Sequence, residues 1–373
     1  MRVCIVSPNK QAYSETFIKA HIDRLDEVVS VLYGGHLPTH IMGNDQALLD
    51  PSAGSRIKRA VASKLAGRSI EELQREAIAA HLRDQKIELV LAEYGPTGVE
   101  LMQVCASLKI PLVTHFHGID AYHVDILKKY ERGYQELFNS HSELIAVSKH
   151  MEQKLLDLGA PRSSVHYNVY GVDIERFSKG DPGNSGLEFL SIGRFTDKKA
   201  PFLTILAFAE ILKEFPDAKL TMVGDGALWD PCKKLVIGLG LENAIDLPGV
   251  VGPDMVAAKL GSARAFVQHS LTPANNDHEG TPLAVIEASA SGVPVISTTH
   301  AGIPDVVEHE VTGLLSAEND LGAMVANLKR LAKDKNLAGE MGEAGRQKAV
   351  AEFNVNKSIA GLQEILENAL KSV

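Results

Sequence analysis

Short apolar runs alternate with longer amphipathic stretches along this chain. Polar residues, Gly or Pro bound each short run, and its length suits a buried strand. These runs predict strands at residues 3–7, 28–33, 88–92, 111–115, 143–147, 187–192, 219–223, 244–247, 264–268 and 294–297. Apolar positions repeating every three or four residues predict helices, chiefly at 16–29, 121–139, 200–214, 228–239, 253–261, 282–291, 321–331, 337–353 and 357–370. This alternation predicts an α/β protein with right-handed βαβ units and parallel sheets covered on both faces.

A polar segment rich in Gly and Pro, residues 178–186, separates two halves of similar pattern. Such composition is typical of a linker. We therefore expect a Rossmann-like domain over 1–177, a second over 187–355, and a C-terminal helix over 356–373 that packs back on the first domain. Ligands of open parallel sheets bind beyond the carboxyl ends of the strands. The expected active site is a cleft between two such domains.

Composition narrows the class of protein. The chain has 373 residues, 45% of them hydrophobic, and its 38 Lys and Arg against 47 Asp and Glu give a net charge of −9. This apolar content excludes a disordered chain, and the negative charge argues against a dedicated nucleic-acid binder. The sequence shows neither a signal peptide nor a long apolar span, so a cytoplasmic location is expected. Cys4, Cys105 and Cys232 are far apart among apolar neighbours and are predicted to be buried, inert thiols.

The densest group of polar residues follows the predicted strand at 264–268. Thr281 is a predicted N-cap and Pro282 a predicted first helical residue, which sets Glu279 just before the helix and Glu287 nearly two turns inside it. Free backbone amides over residues 280–283 would bind a phosphate or a sugar hydroxyl. The alternative is an ordinary capped helix with an acidic first turn. The long polar loop before the helix favours a binding site.

Two other predicted strand ends carry candidate residues. After the strand at 187–192, Arg194 and Lys199 would converge on one anion such as a diphosphate, or would belong to a solvated basic loop. After the strand at 111–115, His117 would face the cleft, or would be a hydrogen-bonded core histidine. Asp120 is interpreted as a possible cap of the next helix. The string Val223-Gly224-Asp225-Gly226 predicts a tight strand-to-helix turn rather than a nicotinamide site.

Together these strings resemble glycosyltransferase family 4. The strings that carry the resemblance in the second half are Gly193-Arg194 with Lys199, Val223-Gly224-Asp225-Gly226, Glu279-Gly280-Thr281-Pro282 with Glu287-Ala288, Gly292-Val293-Pro294-Val295-Ile296-Ser297, His300-Ala301-Gly302-Ile303-Pro304-Asp305 and Thr312-Gly313-Leu314-Leu315. The first half agrees at His117-Gly118-Ile119-Asp120. Its Ser14-Glu15-Thr16-Phe17 string resembles a subgroup tied to exopolysaccharide and lipopolysaccharide assembly.

The resemblance implies the GT-B fold, with two Rossmann-like parallel-sheet domains facing across a cleft. It implies retaining, metal-independent transfer of a hexose-type sugar from a UDP- or GDP-sugar to a glycan or lipid-linked acceptor, with no cofactor beyond the donor. Two alternatives stay open. One is a GT-B nucleotide-sugar epimerase, and the other is a non-catalytic nucleotide-sugar-binding subunit.

The resemblance also implies a role for each candidate residue. Arg194 and Lys199 would hold the donor diphosphate. Glu279 would contact the transferred sugar, and His117 would lie beside the anomeric carbon. Glu287 would bind the ribose hydroxyls as the second glutamate of the E-x7-E signature. The remaining donor-binding positions would be Gly280, Thr281, Pro282 and Leu283, with the backbone near Val250 meeting the base.

Residues 55–68 contain five basic and no acidic residues. Ile57, Val61 and Leu65 recur every four residues among those charges. One interpretation is an amphipathic helix that reversibly contacts an anionic membrane on its inner face. The other, which the small number of apolar residues favours, is a solvated helix whose apolar stripe packs on the sheet.

Overall fold

The computed structural model describes residues 1–10, 15–49, 52 and 67–372. It divides into two compact units, the first made of Met1–Asn168 and the C-terminal residues from Ile359, the second of Val169–Ser358. The first domain therefore ends before the expected residue 177. The reason is packing, because Val172, Ile174 and Phe177 are buried in the hydrophobic core of the second unit.

The first unit is built on an eight-stranded sheet with helices packed against it. Its strands are β1 (Val3–Val6), β2 (Val28–Tyr33), β3 (His40–Ile41), β4 (Gln46–Ala47), β5 (Leu89–Glu93), β6 (Leu112–His115), β7 (Glu143–Ala146) and β8 (Val165–Tyr167). They lie in the order β4-β3-β2-β1-β5-β6-β7-β8, and every pairing is parallel except β2 with β3 and β3 with β4. Its described helices are α1 (Thr16–Arg24), α2 (Ile70–Asp84), α3 (Gly95–Leu108), α4 (Ile119–Tyr122), α5 (Val124–Phe138) and α6 (Lys149–Asp157).

The second unit has a six-stranded, wholly parallel sheet. Its strands are β9 (Glu188–Ile192), β10 (Lys219–Val223), β11 (Ile245–Gly249), β12 (Ala265–Val267), β13 (Val295–Thr298) and β14 (Gly313–Ser316), in the order β11-β10-β9-β12-β13-β14. Its helices are α7 (Pro201–Ile211), α8 (Trp229–Gly238), α9 (Pro253–Ser262), α10 (Leu283–Ala290), α11 (Ile303–Val306), α12 (Leu321–Lys333) and α13 (Lys335–Glu352). The last helix, α14 (Val355–Lys371), begins here and continues into the first unit.

Every strand predicted from the apolar runs is present. Strands β3, β4, β8 and β14, which are two to four residues long, were not predicted. Helix α1 ends at Arg24 rather than at residue 29, because the chain turns at Glu27, with φ 61°, into β2. The helix predicted over 121–139 is two helices, since the extended backbone of His123 interrupts it.

Cys4, Cys105 and Cys232 are all buried, as predicted, and burial raises the pKa of Cys4 to about 12. None of the helices in the described ranges combines the length and the apolar character needed to cross a lipid bilayer. The amphipathic pattern at 55–68 falls outside the described residues up to residue 66. Arg68, at its end, forms an ion pair with Glu76.

Candidate active site

A largely buried ion pair lies at the carboxyl edge of the sheet in the second unit. Lys199 lies in the loop after β9 and Glu279 lies in the loop after β12. The ammonium of Lys199 is 3.0 Å from Oε1 of Glu279 and 3.3 Å from Oε1 of Gln268. Glu279 is only 6% exposed. The two residues were each predicted to bind a ligand, and the structure shows that they also bind each other.

A second buried lysine lies beside this pair. Lys198 places its ammonium 2.9 Å from Oδ1 of Asp277 and donates to the carbonyl of His278 at 3.2 Å. Its own carbonyl accepts the amide proton of Leu271 at 2.9 Å. Sequence reasoning missed Lys198, because adjacent lysines in a polar loop give no sign of which one is buried. Lys198 fixes the loop that carries Glu279.

The charges in this cluster keep Glu279 ionised. Burial alone would raise the pKa of its carboxyl group, but Lys199, Lys198 and His300 outweigh that effect and lower the pKa to about 2. Burial lowers the pKa of Lys199, and the Glu279 carboxylate opposes that change. The site therefore holds a negative charge close to the ammonium groups of two lysines.

A chain of hydrogen bonds connects the backbone of Glu279 to His300 and Glu318. The amide of Glu279 donates to Nε2 of His300 at 3.2 Å, so that nitrogen carries a lone pair. Nδ1 of His300 lies 2.6 Å from Oε1 of Glu318 and is the nitrogen that holds the proton. Glu318 in turn accepts the amide proton of Thr272 at 2.8 Å. This chain of hydrogen bonds orients the backbone at Glu279.

The first residues of the loop between β12 and α10 are more buried than their polar sequence predicts. His269 and Ser270 are fully buried. Nε2 of His269 accepts the amide proton of Asn319 at 3.0 Å, and the carbonyl of Ser270 accepts the Thr298 hydroxyl at 2.6 Å. The loop is therefore anchored in the core of the second unit at its start, before it reaches Glu279.

The helix after this loop begins two residues later than Thr281. Pro282 occupies the N-cap position with extended backbone and makes no side-chain cap, so the prediction of Thr281 as the N-cap is wrong. Residues 280–283 were predicted to donate their amides to an anion. Pro282 cannot do so, because it has no N–H. The amides of the first helical turn, at Leu283 and Ala284, have no partner within the helix. Gly280 and Thr281 belong instead to the buried loop that carries Glu279.

The other predicted donor residues differ in exposure. Arg194 is exposed beside the buried lysines, and Val250 is 54% exposed just beyond β11. Glu287 lies on α10 and is partly buried. Burial raises the pKa of Glu287 to about 7, although Arg176 opposes this. Glu287 is therefore a carboxyl group that changes charge near neutral pH.

Two glycines let the loops after β9 and β10 lie in contact. Gly224 has φ 138° and Gly226 has φ 152°. A Cβ on Gly224 would lie 1.9 Å from the carbonyl oxygen of Gly193, and one on Gly226 would lie 2.6 Å from that of Phe195. The predicted tight turn is confirmed, and its close packing against residues 193–195 holds the loop that carries Arg194.

In the first unit, three histidine side chains lie close to one buried carboxylate. Glu93, at the carboxyl end of β5, is 0% exposed. Its Oε1 is 2.8 Å from Nδ1 of His21, and its Oε2 is 2.7 Å from Nε2 of His117 and 3.6 Å from Nδ1 of His115. Sequence reasoning pointed to His117 and missed Glu93 and His21. Because β5 and β6 are neighbours in the sheet, the position of Glu93 at a strand end was the available signal.

Aromatic side chains surround His117. The rings of Phe17 and Tyr94 have centroids 4.6 and 4.5 Å from that of His117. The Tyr94 hydroxyl donates to Oε1 of Glu15 at 2.8 Å. Tyr94 has φ 76°, a backbone conformation that non-glycine residues rarely adopt and that is common at functional sites.

Asp120 does not cap the helix that follows it, so that prediction is wrong. Its carboxylate is buried and accepts the amide protons of Gly95, His117 and Gly118 at 2.9–3.0 Å. It lies within the short helix α4 and ties the loop after β6 to the start of α3. Asp120 thus fixes the backbone on which His117 stands.

One group of side chains within the described ranges has the composition of a metal site. His21, Glu93 and His115 offer one potential ligand atom each, all within 4.8 Å of one another. Within this group, Nδ1 of His21 lies 2.8 Å from Oε1 of Glu93, and the other oxygen of Glu93 lies 2.7 Å from Nε2 of His117; both are hydrogen-bond distances. Ligand atoms around a tetrahedral zinc ion lie roughly 3.3 Å apart, given bonds of about 2.0–2.1 Å. The geometry is that of a hydrogen-bonded network.

The sequence matches two known protein families. Residues 173–348 match the family described as glycosyl transferases group 1, and residues 33–176 match the family described as glycosyltransferase family 4. Together the two matches span residues 33–348 of the chain.

Two relatives with assigned names are bacterial. The chain is 32% identical to the amylovoran biosynthesis glycosyltransferase AmsK of Erwinia amylovora, over 78% of this chain and 72% of that protein. It is 30% identical to the putative colanic acid biosynthesis glycosyltransferase WcaL of Escherichia coli, over 75% of this chain and 71% of that protein.

Solved structures share the fold at low identity. The structure of Anabaena HepE in complex with UDP aligns over 99% of this chain and all of that chain, with a TM-score of 0.77 and 16% identity. Sucrose-phosphate synthase of Thermosynechococcus elongatus aligns over all of both chains, with a TM-score of 0.75 and 18% identity. The two parallel-sheet units are those of the GT-B fold, as predicted.

Proposed function

We propose that this chain, which belongs to the group 1 glycosyltransferases, transfers a hexose-type sugar from a nucleoside diphosphate sugar to a glycan or lipid-linked acceptor, with retention of configuration at the anomeric carbon. The exopolysaccharide glycosyltransferases among its relatives support a polysaccharide or its lipid-linked precursor as the acceptor. UDP bound to the structural neighbour HepE makes a uridine donor the first to test, with a GDP-sugar as the other candidate.

The observation that carries this proposal is the buried Lys199–Glu279 pair with Arg194 exposed beside it. Departure of a nucleoside diphosphate develops negative charge on a phosphate oxygen. Arg194, Lys199 and the first-turn amides of α10 would stabilise that charge with groups already held in position. Glu279 would accept hydrogen bonds from hydroxyls of the transferred sugar, and its low pKa keeps it an acceptor.

The same cations would replace a divalent metal. The sequence contains no Asp-x-Asp pair, the arrangement through which a metal would bridge protein and diphosphate. Lys199 has an ionic partner in Glu279 when no donor is bound, and a diphosphate would take a share of that ammonium. We therefore propose metal-independent transfer.

Retention would follow from attack on the same face as the leaving group. The acceptor O–H bond breaks and its proton passes to the leaving phosphate oxygen. The acceptor oxygen forms the new bond to the anomeric carbon as the bond from that carbon to the phosphate oxygen breaks. His117 would lie beside the anomeric carbon and orient the sugar. Glu287 would bind the ribose hydroxyls of the donor.

The proposal is tested by acceptor-dependent release of nucleoside diphosphate. The purified protein is incubated with a panel of UDP- and GDP-sugars, with and without a lipid-linked glycan acceptor, and the product linkage is determined by NMR. The expected result is release that requires the acceptor and an anomeric configuration equal to that of the donor. Product of inverted configuration contradicts retention. Conversion of the donor sugar without an acceptor supports an epimerase, and binding without turnover supports a non-catalytic subunit.

A lipid-linked acceptor would give residues 55–68 a use as a membrane contact. Flotation with anionic and neutral vesicles, at low and high salt, separates the two interpretations of that segment. Binding only to anionic vesicles, and only at low salt, supports the contact. Equal recovery with both vesicle types, or no binding, supports a helix that packs on its own sheet.

A further inference from the structure

Glu93 has no role in the proposed chemistry, yet it is the most enclosed charged side chain around His117. It accepts hydrogen bonds with both oxygens, from His21 on α1 and from His117 after β6. Burial alone would raise the pKa of Glu93. The charge of His21 and the hydrogen bonds from His117 and His21 outweigh burial and hold the pKa well below its usual range. A carboxylate is therefore buried directly against His117.

The position of each proton follows from these contacts. An ionised carboxylate only accepts hydrogen bonds, so Nε2 of His117 and Nδ1 of His21 must both carry protons. Where the His117 ring carries a single proton, that proton is therefore on Nε2. Burial lowers the pKa of His115, so this third imidazole stays neutral. Glu93 thus fixes which ring nitrogen of His21 and of His117 donates to it.

The surroundings of His117 also restrict its rotation. The rings of Phe17 and Tyr94 contact His117 at 4.6 and 4.5 Å between centroids, and His115 lies 4.6 Å away. Asp120 holds the His117 amide at 2.9 Å. The imidazole is therefore fixed at its backbone and against neighbouring rings. The hydrogen bond to Glu93 selects which ring nitrogen faces inward.

We propose that Glu93 is a positioning residue, which fixes the ring orientation and the Nε2–H tautomer of His117 while His21 occupies its second oxygen. Only the expected effect of Glu93 on sugar transfer rests on the proposed function. The orientation and the tautomer are properties of the free protein. A metal ion bound by the same side chains is the competing account, and the test includes it.

The first measurement needs neither donor nor acceptor. Protein labelled with ¹⁵N-histidine is examined by long-range ¹H–¹⁵N NMR, with His117 assigned from a His117→Gln variant. The expected result is a proton on Nε2 of His117 and on Nδ1 of His21, with both N–H protons shifted downfield by a carboxylate. A proton on Nδ1 of His117 instead overturns the proposal. So does a stoichiometric amount of zinc in the purified protein, measured by elemental analysis.

The second measurement uses Glu93→Gln, which keeps the shape of the side chain. One amide oxygen can accept from only one of the two imidazoles, and the amide NH₂ requires the other nitrogen to accept. At least one histidine should therefore change tautomer. We expect kcat to fall about 10–100-fold, as when an outer partner of a functional histidine is removed, with the donor KM changed less than about twofold.

The matched control is Glu143→Gln. Glu143 also pairs with an imidazole, Nε2 of His166 at 2.6 Å, at the start of β7 in the same sheet. Its replacement should leave kcat and the His117 signal unchanged. An equal loss of kcat in both variants, or a Glu93→Gln protein with unchanged tautomers and kcat, overturns the positioning role. A tautomer change in a protein without any transferase activity would contradict the proposed function alone.

Discussion

Lys199 and Arg194 are both cations predicted to bind diphosphate, but they differ in what they do for the folded protein. Lys199 is only 16% exposed and forms an ion pair with the buried Glu279, whereas Arg194 is exposed. Removal of one partner of a buried pair leaves the other as an uncompensated charge, which typically costs about 3–5 kcal/mol. Removal of an exposed cation has little effect on stability.

We therefore expect Arg194→Ala to lose most transfer while its unfolding midpoint stays unchanged. Lys199→Met should lose transfer and also about 3–5 kcal/mol of stability, because Glu279 is left charged in the interior. Adding Glu279→Gln to Lys199→Met should restore most of that stability without restoring transfer. Urea denaturation and nucleoside diphosphate release measure the two properties. Wild-type turnover by Arg194→Ala would contradict the assignment.

Glu287 predicts a pH dependence of stability. Its pKa is raised from 4.5 to about 7, so between these values the folded state binds more protons than the unfolded state. Its contribution to the free energy of unfolding therefore falls as pH rises through this window. Glu287→Gln should match the wild type near pH 4.5 and be more stable by up to about 3 kcal/mol at pH 8.

Thermal or urea unfolding at several pH values measures this difference. The exposed residue Glu242 supplies the control, because Glu242→Gln should follow the wild type throughout. A Glu287→Gln protein whose stability runs parallel to that of the wild type from pH 4.5 to pH 8 would show that folding does not raise the pKa of Glu287.

At the scale of elements, the carboxyl ends of neighbouring strands explain where the site residues lie. In the second unit, β9 and β12 pair directly, and the loops that follow them carry Lys199 and Glu279. In the first unit, β5 and β6 pair directly, and Glu93 and His115 are cross-strand partners at their ends. Parallel strands bring all such loops to one edge of a sheet.

The turn after β10 offers a prediction at this scale. Gly224→Ala should destabilise the protein by more than about 2 kcal/mol, because φ 138° is unfavourable for alanine and the new Cβ would meet the Gly193 carbonyl. It should also weaken donor binding through displacement of the loop that carries Arg194. Gly238→Ala, at the end of α8 with no atom within 4 Å of its new Cβ, is the matched control and should not destabilise. Similar losses in both variants would exclude a steric cause.

At the scale of the whole molecule, the fold is shared with proteins of very different sequence. HepE has the same two-unit fold at 16% identity, while AmsK retains 32% identity over most of its length. A buried parallel sheet needs apolar strands and a compatible helix pattern, which many sequences supply. The polar residues at the strand ends are what the fold alone does not dictate.

Metal independence is a prediction about the complete reaction. Transfer measured in excess EDTA should equal transfer in buffer, and addition of Mg²⁺ or Mn²⁺ should not raise it. The reason is that protein cations would stabilise the leaving diphosphate. Loss of turnover in EDTA with recovery on addition of Mg²⁺ would contradict it. A binding measurement with the donor, run in parallel, shows whether such a loss arises before or during transfer.

The sequence by itself determined the architecture. Buried strands are continuous apolar runs and helices repeat every three to four residues, so both leave local signals. The signals failed where local pattern is weakest, as at the short strand β14 and at Thr281, whose role as N-cap Pro282 takes. The linker composition also misplaced the end of the first unit, because the position of that boundary depends on which core buries Val172.

The sequence also placed the candidate residues Lys199, Glu279 and His117 after predicted strands, and the structure has strands at those places. Only the tertiary structure decided their partners. Lys199 meets Glu279 across eighty positions of sequence, and Glu93 lies between His21 and His117. Such pairs depend on strand order and register, which arise from packing over the whole unit and have no local signature. For that reason the positions of the candidate residues at strand ends were predictable, whereas the residues that hold them in place were not.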